Sequence, residues 1–261
     1  MKKILVTGSA DGLGLAAART LMEEGHQVVL HARSKERAAT LSKLAKLAKL
    51  ASRAAGIVIG DLGSAAETRA MADQVNRIGR MDAVIHNAGI YQEPSRGTTP
   101  EGHAKILAVN TLAPYMLTAL MTQPDRLIYL SSGMHRGGGN SLSDMDWLAR
   151  RWDTGLAYSE SKLYVTAFAA ALSRRWPTVL SHAVDPGWVP TKMGGASAPD
   201  DLELGHLTQT WLATSDDPAA QSSGGYWHHR QRRQPAAAVL DRDFQDRLMD
   251  QLAKLTGVSL P

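Results

Sequence analysis

Residues 7–14 read Thr-Gly-Ser-Ala-Asp-Gly-Leu-Gly and connect a short apolar run, residues 4–6, to a helical pattern over residues 12–24. The glycines permit a tight turn and a close approach of the backbone to a ligand. The start of the following helix offers free N–H groups and a positive dipole. The spacing is G-x-x-x-G-x-G rather than the general G-x-G-x-x-G. A strand, a glycine-rich turn and a helix in this order predict a site for the phosphates of a dinucleotide.

Short apolar runs and longer helical patterns alternate along the rest of the chain, as is typical of βαβ units around a parallel sheet. Strands are predicted over residues 4–6, 26–30, 57–59, 83–86, 127–130, 179–184 and 225–227. Helices are predicted over residues 12–24, 157–176, 202–213 and 241–255, with others starting at Ser64 and at Thr99-Pro100-Glu101. The expected fold is a single α/β Rossmann domain over residues 1–261, a doubly wound parallel sheet of about seven strands with helices on both faces.

Composition excludes several classes of protein. The chain has 261 residues, of which 44% are hydrophobic and 21% charged, as in ordinary globular proteins. It has no cysteine, which excludes disulfides and cysteine-based metal or redox sites and is compatible with the cytoplasm. No run approaches the roughly 18 apolar residues of a spanning helix, and the apolar run after the basic start is too short for a signal peptide. We expect a soluble, cytoplasmic protein that binds no metal and no membrane.

Two basic segments suggest other partners. The net charge is +4, and part of the excess lies at Arg230, Arg232 and Arg233. Because neither a broad basic face nor a recognisable binding module accompanies them, no nucleic-acid partner is expected. Residues 43–51 read KLAKLAKLA. A three-residue period drifts around an α-helix, so we expect a solvated helix there, with a membrane-surface helix as the alternative.

Six further motifs follow the glycine turn in order. They are Asp61-Leu62, Asn87-Ala88-Gly89, Asn110, Ser131-Ser132, Tyr158 with Lys162, and Pro186-Gly187 with Thr191. The ordered set resembles the classical short-chain dehydrogenase/reductase family, and Ser131-Ser132-Gly133-Met134-His135 is similar to the SSxxH pattern of its retinol-dehydrogenase-like members. The resemblance implies an oxidoreductase that transfers a hydride between a nicotinamide and a carbonyl or secondary alcohol. Residues 1–130 would mainly bind the cofactor, and 131–261 would carry the catalytic and substrate-binding elements.

The resemblance also assigns cofactor-binding residues. Besides Tyr158 and Lys162, these are Gly8, Ser9, Asp11, Gly12, Leu13, Gly14, Asp61, Leu62, Asn87, Ala88, Gly89, Pro186, Gly187, Val189 and Thr191. The aspartate–leucine pair would frame the adenine, the Asn-Ala-Gly segment would lie beside the ribose, and Thr191 would contact the nicotinamide amide. His86 stands where the family often has another asparagine. Because it ends a buried strand, we expect a hydrogen-bonded core histidine.

The end of the second strand bears on the choice of cofactor. An acidic residue there binds the ribose 2′-hydroxyl of NAD, whereas an arginine accommodates the 2′-phosphate of NADP. The sequence is His31-Ala32-Arg33-Ser34-Lys35, with no acid before Glu36. Arg33 can bind the phosphate with two hydrogen bonds, and Ser34 can add its hydroxyl. The sequence therefore predicts NADP(H).

Tyr158 and Lys162 are four residues apart on a predicted helix, so both project from one face. Carbonyl reduction needs a proton, and a phenol with a pKa near 10 donates more readily when a nearby ammonium stabilises its phenolate. Tyr158 is the predicted general acid and base. Ser132 would donate a hydrogen bond to the substrate oxygen. Ser131 is the alternative, because a shift of one residue exchanges the side chain that faces the site.

Asn110 is the fourth predicted catalytic residue. Pro114 has no N–H, so the carbonyl of Asn110 loses its helical donor and needs another partner. By resemblance, that carbonyl would bind a water molecule that relays protons to the lysine. The alternative is that Pro114 only kinks the helix.

The substrate and the assembly are less defined. The long segment 133–157 either shapes the substrate entrance or serves as structural cover. The glycine-rich loop that continues to Pro199 is expected to bind substrate, and the expected substrate is a fairly apolar ketone or aldehyde. The family suggests a homodimer or homotetramer. Two alternatives stay open. One is an NAD-linked alcohol dehydrogenase of the same family, and the other is a dinucleotide-sensing protein without catalysis.

Overall fold

The computed structural model describes residues 1–47, 54–91 and 93–261. In this part of the chain, eight strands form one sheet in the order β3-β2-β1-β4-β5-β6-β7-β8, and all pairs are parallel except β7 with β8. The expected α/β Rossmann fold is confirmed. The strands are β1 (Lys3–Val6), β2 (Gln27–Ala32), β3 (Ala54–Ile59), β4 (Ala83–His86), β5 (Arg126–Leu130), β6 (Leu180–Asp185), β7 (Tyr226–His228) and β8 (Gln231–Arg233).

Helices cover both faces of the sheet, as a doubly wound sheet requires. The central strands are apolar on both faces, so Leu5 enters one core and its neighbours Ile4 and Val6 enter the other. The helices are α1 (Gly12–Glu23), α2 (Lys35–Leu47), α3 (Ala65–Ile78), α4 (Lys105–Leu107), α5 (Ala113–Leu120), α6 (Thr154–Arg175), α7 (Leu202–Thr214), α8 (Ala237–Leu240) and α9 (Arg242–Thr256).

The strand order reverses at β1, which lies between β2 and β4. In open parallel sheets, ligands bind beyond the carboxyl ends of the strands at such a switch point. The glycine turn follows β1, and the Asn-Ala-Gly segment follows β4. Ser132 and Pro186 follow β5 and β6. The topology therefore brings the predicted site residues to one edge of the sheet.

The helix predicted from Thr99 begins later than expected. Residues 98–104 form a tight turn closed by a bridge between Thr98 and Ala104, and α4 begins at Lys105. The backbone N–H of Ala104 donates to the carboxylate of Asp146, 2.9 Å away. The start of the helix is thus set by a residue distant in sequence, and the local capping pattern gave a wrong boundary.

The helix before Pro114 widens. Residues Ala108–Leu112 are π-helical and join α4 to α5, and Ala113 donates its N–H to the carbonyl of Ala108, five residues earlier. Such turns accommodate a break in the helical hydrogen bonds and often occur at functional sites. Pro114 is therefore preceded by a π-turn that contains Asn110, in the region where the alternative interpretation placed a kink. A freed carbonyl on Asn110 stays a prediction.

The eighth strand was not expected. Strand β8 returns from β7 through His229 and Arg230, both of which have positive φ angles, 48° and 59°. A two-residue hairpin needs this backbone conformation, which is usually signalled by Asn or Gly rather than by these residues.

No helix within the described ranges is long and apolar enough to cross a membrane. Helix α2 includes the first residues of the KLAKLAKLA repeat, and residues 48–51 of that repeat lie outside the described residues.

Candidate active site

The glycine turn forms a narrow backbone cradle at the N-terminus of α1. Gly8 has φ of +66°, a conformation that side chains disfavour. A Cβ atom at Gly14 would lie 2.4 Å from the carbonyl oxygen of Gly8 and equally close to Nδ2 of Asn87. The turn therefore depends on glycine, and its shape fits the close approach of a pyrophosphate to a helix N-terminus.

The polar side chains of the turn are already engaged within the protein. The Ser9 hydroxyl is buried and accepts a hydrogen bond from the backbone N–H of His31 at 2.7 Å, so it is turned away from the cradle. The Asp11 carboxylate accepts from the N–H of Gly12 and pairs with the ammonium of Lys192. Leu13 lies beside the position where a Cβ at Gly205 of α7 would stand. A ligand in this cradle would thus be bound mainly by backbone groups.

His31 supports the cradle, a role that the sequence did not suggest. Its Nδ1 accepts a hydrogen bond from the N–H of Gly8 at 2.8 Å, so its Nε2 carries the proton and donates to the carbonyl of Gly60 at 2.9 Å. Burial lowers the pKa of His31, which keeps this arrangement neutral. The imidazole thereby ties the glycine turn to the end of β3.

The segments after β3 and β4 complete this end of the site. Asn87 donates from Nδ2 to the carbonyl of Thr7 at 3.0 Å, and the N–H of Ala88 donates to the Thr7 hydroxyl at 3.0 Å. Asp61 is partly exposed and accepts from the N–H of Gly63, whereas Leu62 is buried in the core. Leu62 therefore offers the site its backbone rather than its side chain.

Arg33 and Ser34 lie between β2 and α2, and Arg33 is exposed. Arg37 lies one turn into α2, is also exposed, and is close enough to Asp11 for its charge to lower the pKa of that carboxyl. Sequence inspection missed Arg37 because its approach to the glycine turn depends on the packing of α2. Arg37 therefore brings a guanidinium group near the glycine turn.

Tyr158 projects from α6 into a buried pocket, and its ring centroid is 4.7 Å from that of Tyr91. Burial raises the pKa of Tyr158 to about 12, and the nearby Ser132 side chain opposes this rise. The expected lowering of this pKa by Lys162 is absent, because burial dominates and the ammonium is directed elsewhere.

Lys162 lies one helical turn beyond Tyr158, with Nζ 5.5 Å from the centre of the tyrosine ring. The ammonium donates to the carbonyl of Leu130 at 2.7 Å. Burial lowers the pKa of Lys162 to about 8, so its proton is held less tightly than in water. A Cβ at Gly89 would lie 3.4 Å from both this Nζ and Oδ1 of Asn110, so the three predicted residues meet at one point.

The Asn110 side chain holds the segment after β4 in place. Its Oδ1 accepts from the N–H of Ile90 at 2.9 Å, and its Nδ2 donates to the carbonyl of Ile90 and to the hydroxyl of Ser161. The π-turn that carries Asn110 is thereby fixed to α6 at the residue next to Lys162. The Asn110 side chain thus positions the segment after β4. The role expected from the sequence belongs to the main-chain carbonyl of Asn110 and does not involve these contacts.

The two adjacent serines have different surroundings. The Ser131 hydroxyl is buried and lies 2.6 Å from that of Thr166, whereas the Ser132 hydroxyl lies near Tyr158 and accepts from the N–H of Met134. His135 is completely buried and fixes this turn by donating from Nδ1 to the carbonyl of Ser132 at 2.7 Å. Ser132 therefore shares the pocket with Tyr158, and Ser131 points into α6.

The loop after β6 covers the glycine turn. Pro186 is followed by Gly187, which has φ of +83°, and Val189 is buried. A Cβ at Gly12 would lie 3.5 Å from Cγ2 of Thr191, so this loop and the turn are in contact. In an open parallel sheet, the cleft for a cofactor would lie beside this loop and the glycine turn.

The long segment before α6 is fastened to the helix by a buried acid. Glu160 is bound by both terminal nitrogens of Arg150, at 2.8 and 2.6 Å, and by the indole N–H of Trp147 at 3.1 Å. The Arg150 guanidinium also stacks on the Trp147 ring, 3.8 Å from its centre. The segment is thus held against α6 at Glu160.

Comparisons with known proteins agree with this fold. A model of the short chain dehydrogenase family matches residues 2–202. The chain is 40% identical over 265 residues to the short-chain dehydrogenase chry4 of Gibberella zeae, covering 100% of this chain and 99% of that protein. It is 29% identical over 287 residues to retinol dehydrogenase 13 of Homo sapiens, covering 100% of this chain and 86% of that one.

Among solved structures, the chain is similar to an uncharacterized protein from Mycobacterium paratuberculosis. The TM-score is 0.83 at 25% sequence identity, with 100% of this chain and 95% of that chain covered. The family model and the relatives indicate the same family, and the solved structure has the same fold. The chain therefore belongs to the short-chain dehydrogenase family, a family of oxidoreductases that use a nicotinamide cofactor.

Proposed function

We propose that this protein is an NADP(H)-dependent oxidoreductase that reduces a ketone or an aldehyde, with Tyr158 as the general acid. The observation that carries the proposal is the closeness of the Ser132 hydroxyl to Tyr158, with the buried ammonium of Lys162 one turn away. A proton donor and a polarising hydroxyl thus share one pocket at the switch point of the sheet.

The nicotinamide, when bound, supplies or accepts the hydride. The Ser132 hydroxyl polarises the carbonyl oxygen of the substrate, and Tyr158 gives that oxygen a proton. With its pKa raised to about 12, Tyr158 is protonated at neutral pH, which is the state that a general acid needs at the start of a reduction. Lys162, with its pKa lowered to about 8, is the nearby group from which the tyrosine can regain a proton.

The residues at the other end of the cleft fit a phosphorylated dinucleotide. The cradle at Gly8 and Gly14 has room only for backbone, as an approaching pyrophosphate requires. Arg33 and Arg37 would bind the 2′-phosphate of NADP, with Ser34 adding a hydroxyl. Residues 31–35, at the end of β2 and just after it, include no acidic side chain that could bind a free ribose hydroxyl.

Replacing Arg33 or Arg37 with alanine is expected to raise KM for NADPH by about 10- to 100-fold, because a hydrogen bond between charged groups contributes about 1.5–3 kcal/mol. KM for NADH should change little, since that cofactor lacks the 2′-phosphate. Arg247→Ala, an exposed substitution on α9, is the matched control. Equal effects on the two cofactors would argue for the NAD-linked alcohol dehydrogenase.

Replacing Ser132 with alanine is expected to lower kcat by about 100-fold, the usual cost of losing one donor to a developing oxyanion. Ser131→Ala is the matched control, because that hydroxyl faces Thr166; it should mainly lower the melting temperature. Both variants are measured at saturating NADPH and by thermal unfolding. The opposite ranking of kcat would transfer the polarising role to Ser131.

The function itself is tested by a panel of ketones and aldehydes with NADPH, following the loss of NADPH absorbance. Turnover of at least one compound that disappears in Tyr158→Phe supports the proposal. Tight binding of NADPH without turnover across the panel would favour the dinucleotide-sensing alternative. The cytoplasmic location and the homodimer or homotetramer stay predictions.

A further inference from the structure

Asp185 is a carboxylate at the carboxyl end of β6 that the proposed proton transfer does not use. Its side chain is 15% exposed. Oδ1 accepts from the N–H of Gly187 at 3.0 Å, and Oδ2 accepts from the hydroxyl of Tyr226 at 3.1 Å. A carboxylate has about four acceptor positions, so Asp185 can accept further hydrogen bonds from a molecule in the cleft.

The carboxylate lies against the turn that carries Ser132. A Cβ at Gly133 would stand only 3.2 Å from Oδ2 of Asp185. Its charge also acts on the reacting pair, because it adds to the rise in the pKa of Tyr158 and opposes the fall in that of Lys162. Within residues 1–47, 54–91 and 93–261, no other carboxylate is found to affect the pKa of both groups.

The lysines and arginines nearby do not cancel this charge. Lys162 is buried, and its ammonium donates to the carbonyl of Leu130. Arg136 lies on the outer side, over the Tyr226 ring, where it is exposed and donates to the carbonyl of Gln234. His228 is closest, with Nδ1 3.8 Å from Oδ2. None of the lysines or arginines that the structure describes forms an ion pair with Asp185.

We propose that Asp185 determines substrate specificity: its carboxylate accepts a hydrogen bond from a hydroxyl group on a neutral carbonyl compound and repels substrates that carry a carboxylate. This proposal rests on the proposed reductase function. A fixed negative charge in a partly enclosed cleft rejects a like charge strongly, because desolvated charges interact far more than charges in water. The chain would thus favour hydroxyketones and hydroxyaldehydes over keto acids.

The test compares three methyl ketones of equal chain length, ending in a methyl group, a hydroxymethyl group or the carboxylate of levulinate. For the wild type, we expect kcat/KM with NADPH to be highest for the hydroxyketone and about tenfold or more lower for levulinate than for the plain ketone. In Asp185→Asn, kcat/KM for levulinate should rise by about tenfold, while kcat/KM for the plain ketone should change little.

The asparagine variant is isosteric. Its amide oxygen can accept from Gly187, and its NH₂ group can donate to the Tyr226 hydroxyl, which can reverse its direction. Tyr226→Phe is the matched control, because it removes one partner of Asp185 but keeps the charge, so levulinate should still be rejected. Thermal unfolding confirms that both variants are folded.

Several outcomes overturn the inference. The inference is overturned if the wild-type protein reduces levulinate with the same kcat/KM as the plain ketone. It is also overturned if the Asp185→Asn variant is folded and rejects levulinate as strongly as the wild type. Failure of the reductase function looks different, since none of the three ketones, nor any compound of the wider panel, would then consume NADPH.

Discussion

Replacing Tyr158 with phenylalanine is expected to lower kcat for carbonyl reduction by about 1,000-fold, because a positioned proton donor contributes about 10²–10⁴-fold to such reactions. Phenylalanine keeps the ring that packs against Tyr91 and removes only the hydroxyl near Ser132. The measurement is the rate of NADPH oxidation at saturating cofactor and ketone.

Tyr164→Phe is the matched control for this prediction. Tyr164 lies on the same helix, is buried, and donates its hydroxyl to the carbonyl of Ser141, away from Ser132. Its loss should leave kcat within about threefold of the wild type. Both variants should retain the Kd for NADPH, measured by fluorescence. If kcat of Tyr158→Phe stays within about tenfold of the wild type, another group is the proton donor.

Gly14→Ala is expected to raise the Kd for NADPH by about 100-fold, since backbone hydrogen bonds to a charged phosphate together contribute about 3 kcal/mol. The new methyl group would overlap the carbonyl oxygen of Gly8 and Nδ2 of Asn87, so the cradle has to open. Overpacking of this kind also lowers the free energy of unfolding by about 1–3 kcal/mol. Kd is measured by fluorescence titration and stability by chemical denaturation.

Gly137→Ala provides the comparison for this substitution. A Cβ at Gly137 would lie 3.9 Å from the Ser159 hydroxyl, an ordinary contact distance. That variant should bind NADPH as the wild type does. Unchanged NADPH binding in Gly14→Ala would mean that the turn is not the phosphate site, whatever its effect on stability.

The sequence contained most of the fold because its signals are local. Each central strand is a short apolar run buried on both faces, and such runs remain apolar whatever surrounds them. The glycine turn is recognisable for the same reason, since the backbone at Gly8 adopts a conformation that few other residues tolerate. Tyr158 and Lys162 are brought together by the geometry of one helix.

Features that depend on distant contacts were not predictable. The start of α4 is set by Asp146, which lies far along the chain. Arg37 and Asp185 gain their relevance from neighbours on other elements, Asp11 in one case and Tyr226 in the other. Likewise, nothing in the sequence around Glu160 indicates that Arg150 and Trp147 will enclose it.

Strand β8 has a consequence for how copies of this protein can meet. It forms one outer edge of the sheet, and its three residues, Gln231–Arg233, are exposed. A second copy that joined its own β8 to this edge would bring arginine side chains opposite arginine side chains, and like charges facing each other destabilise paired strands. The β8 edges of two copies are therefore not expected to pair into one continuous sheet, and we expect association to use helical surfaces instead.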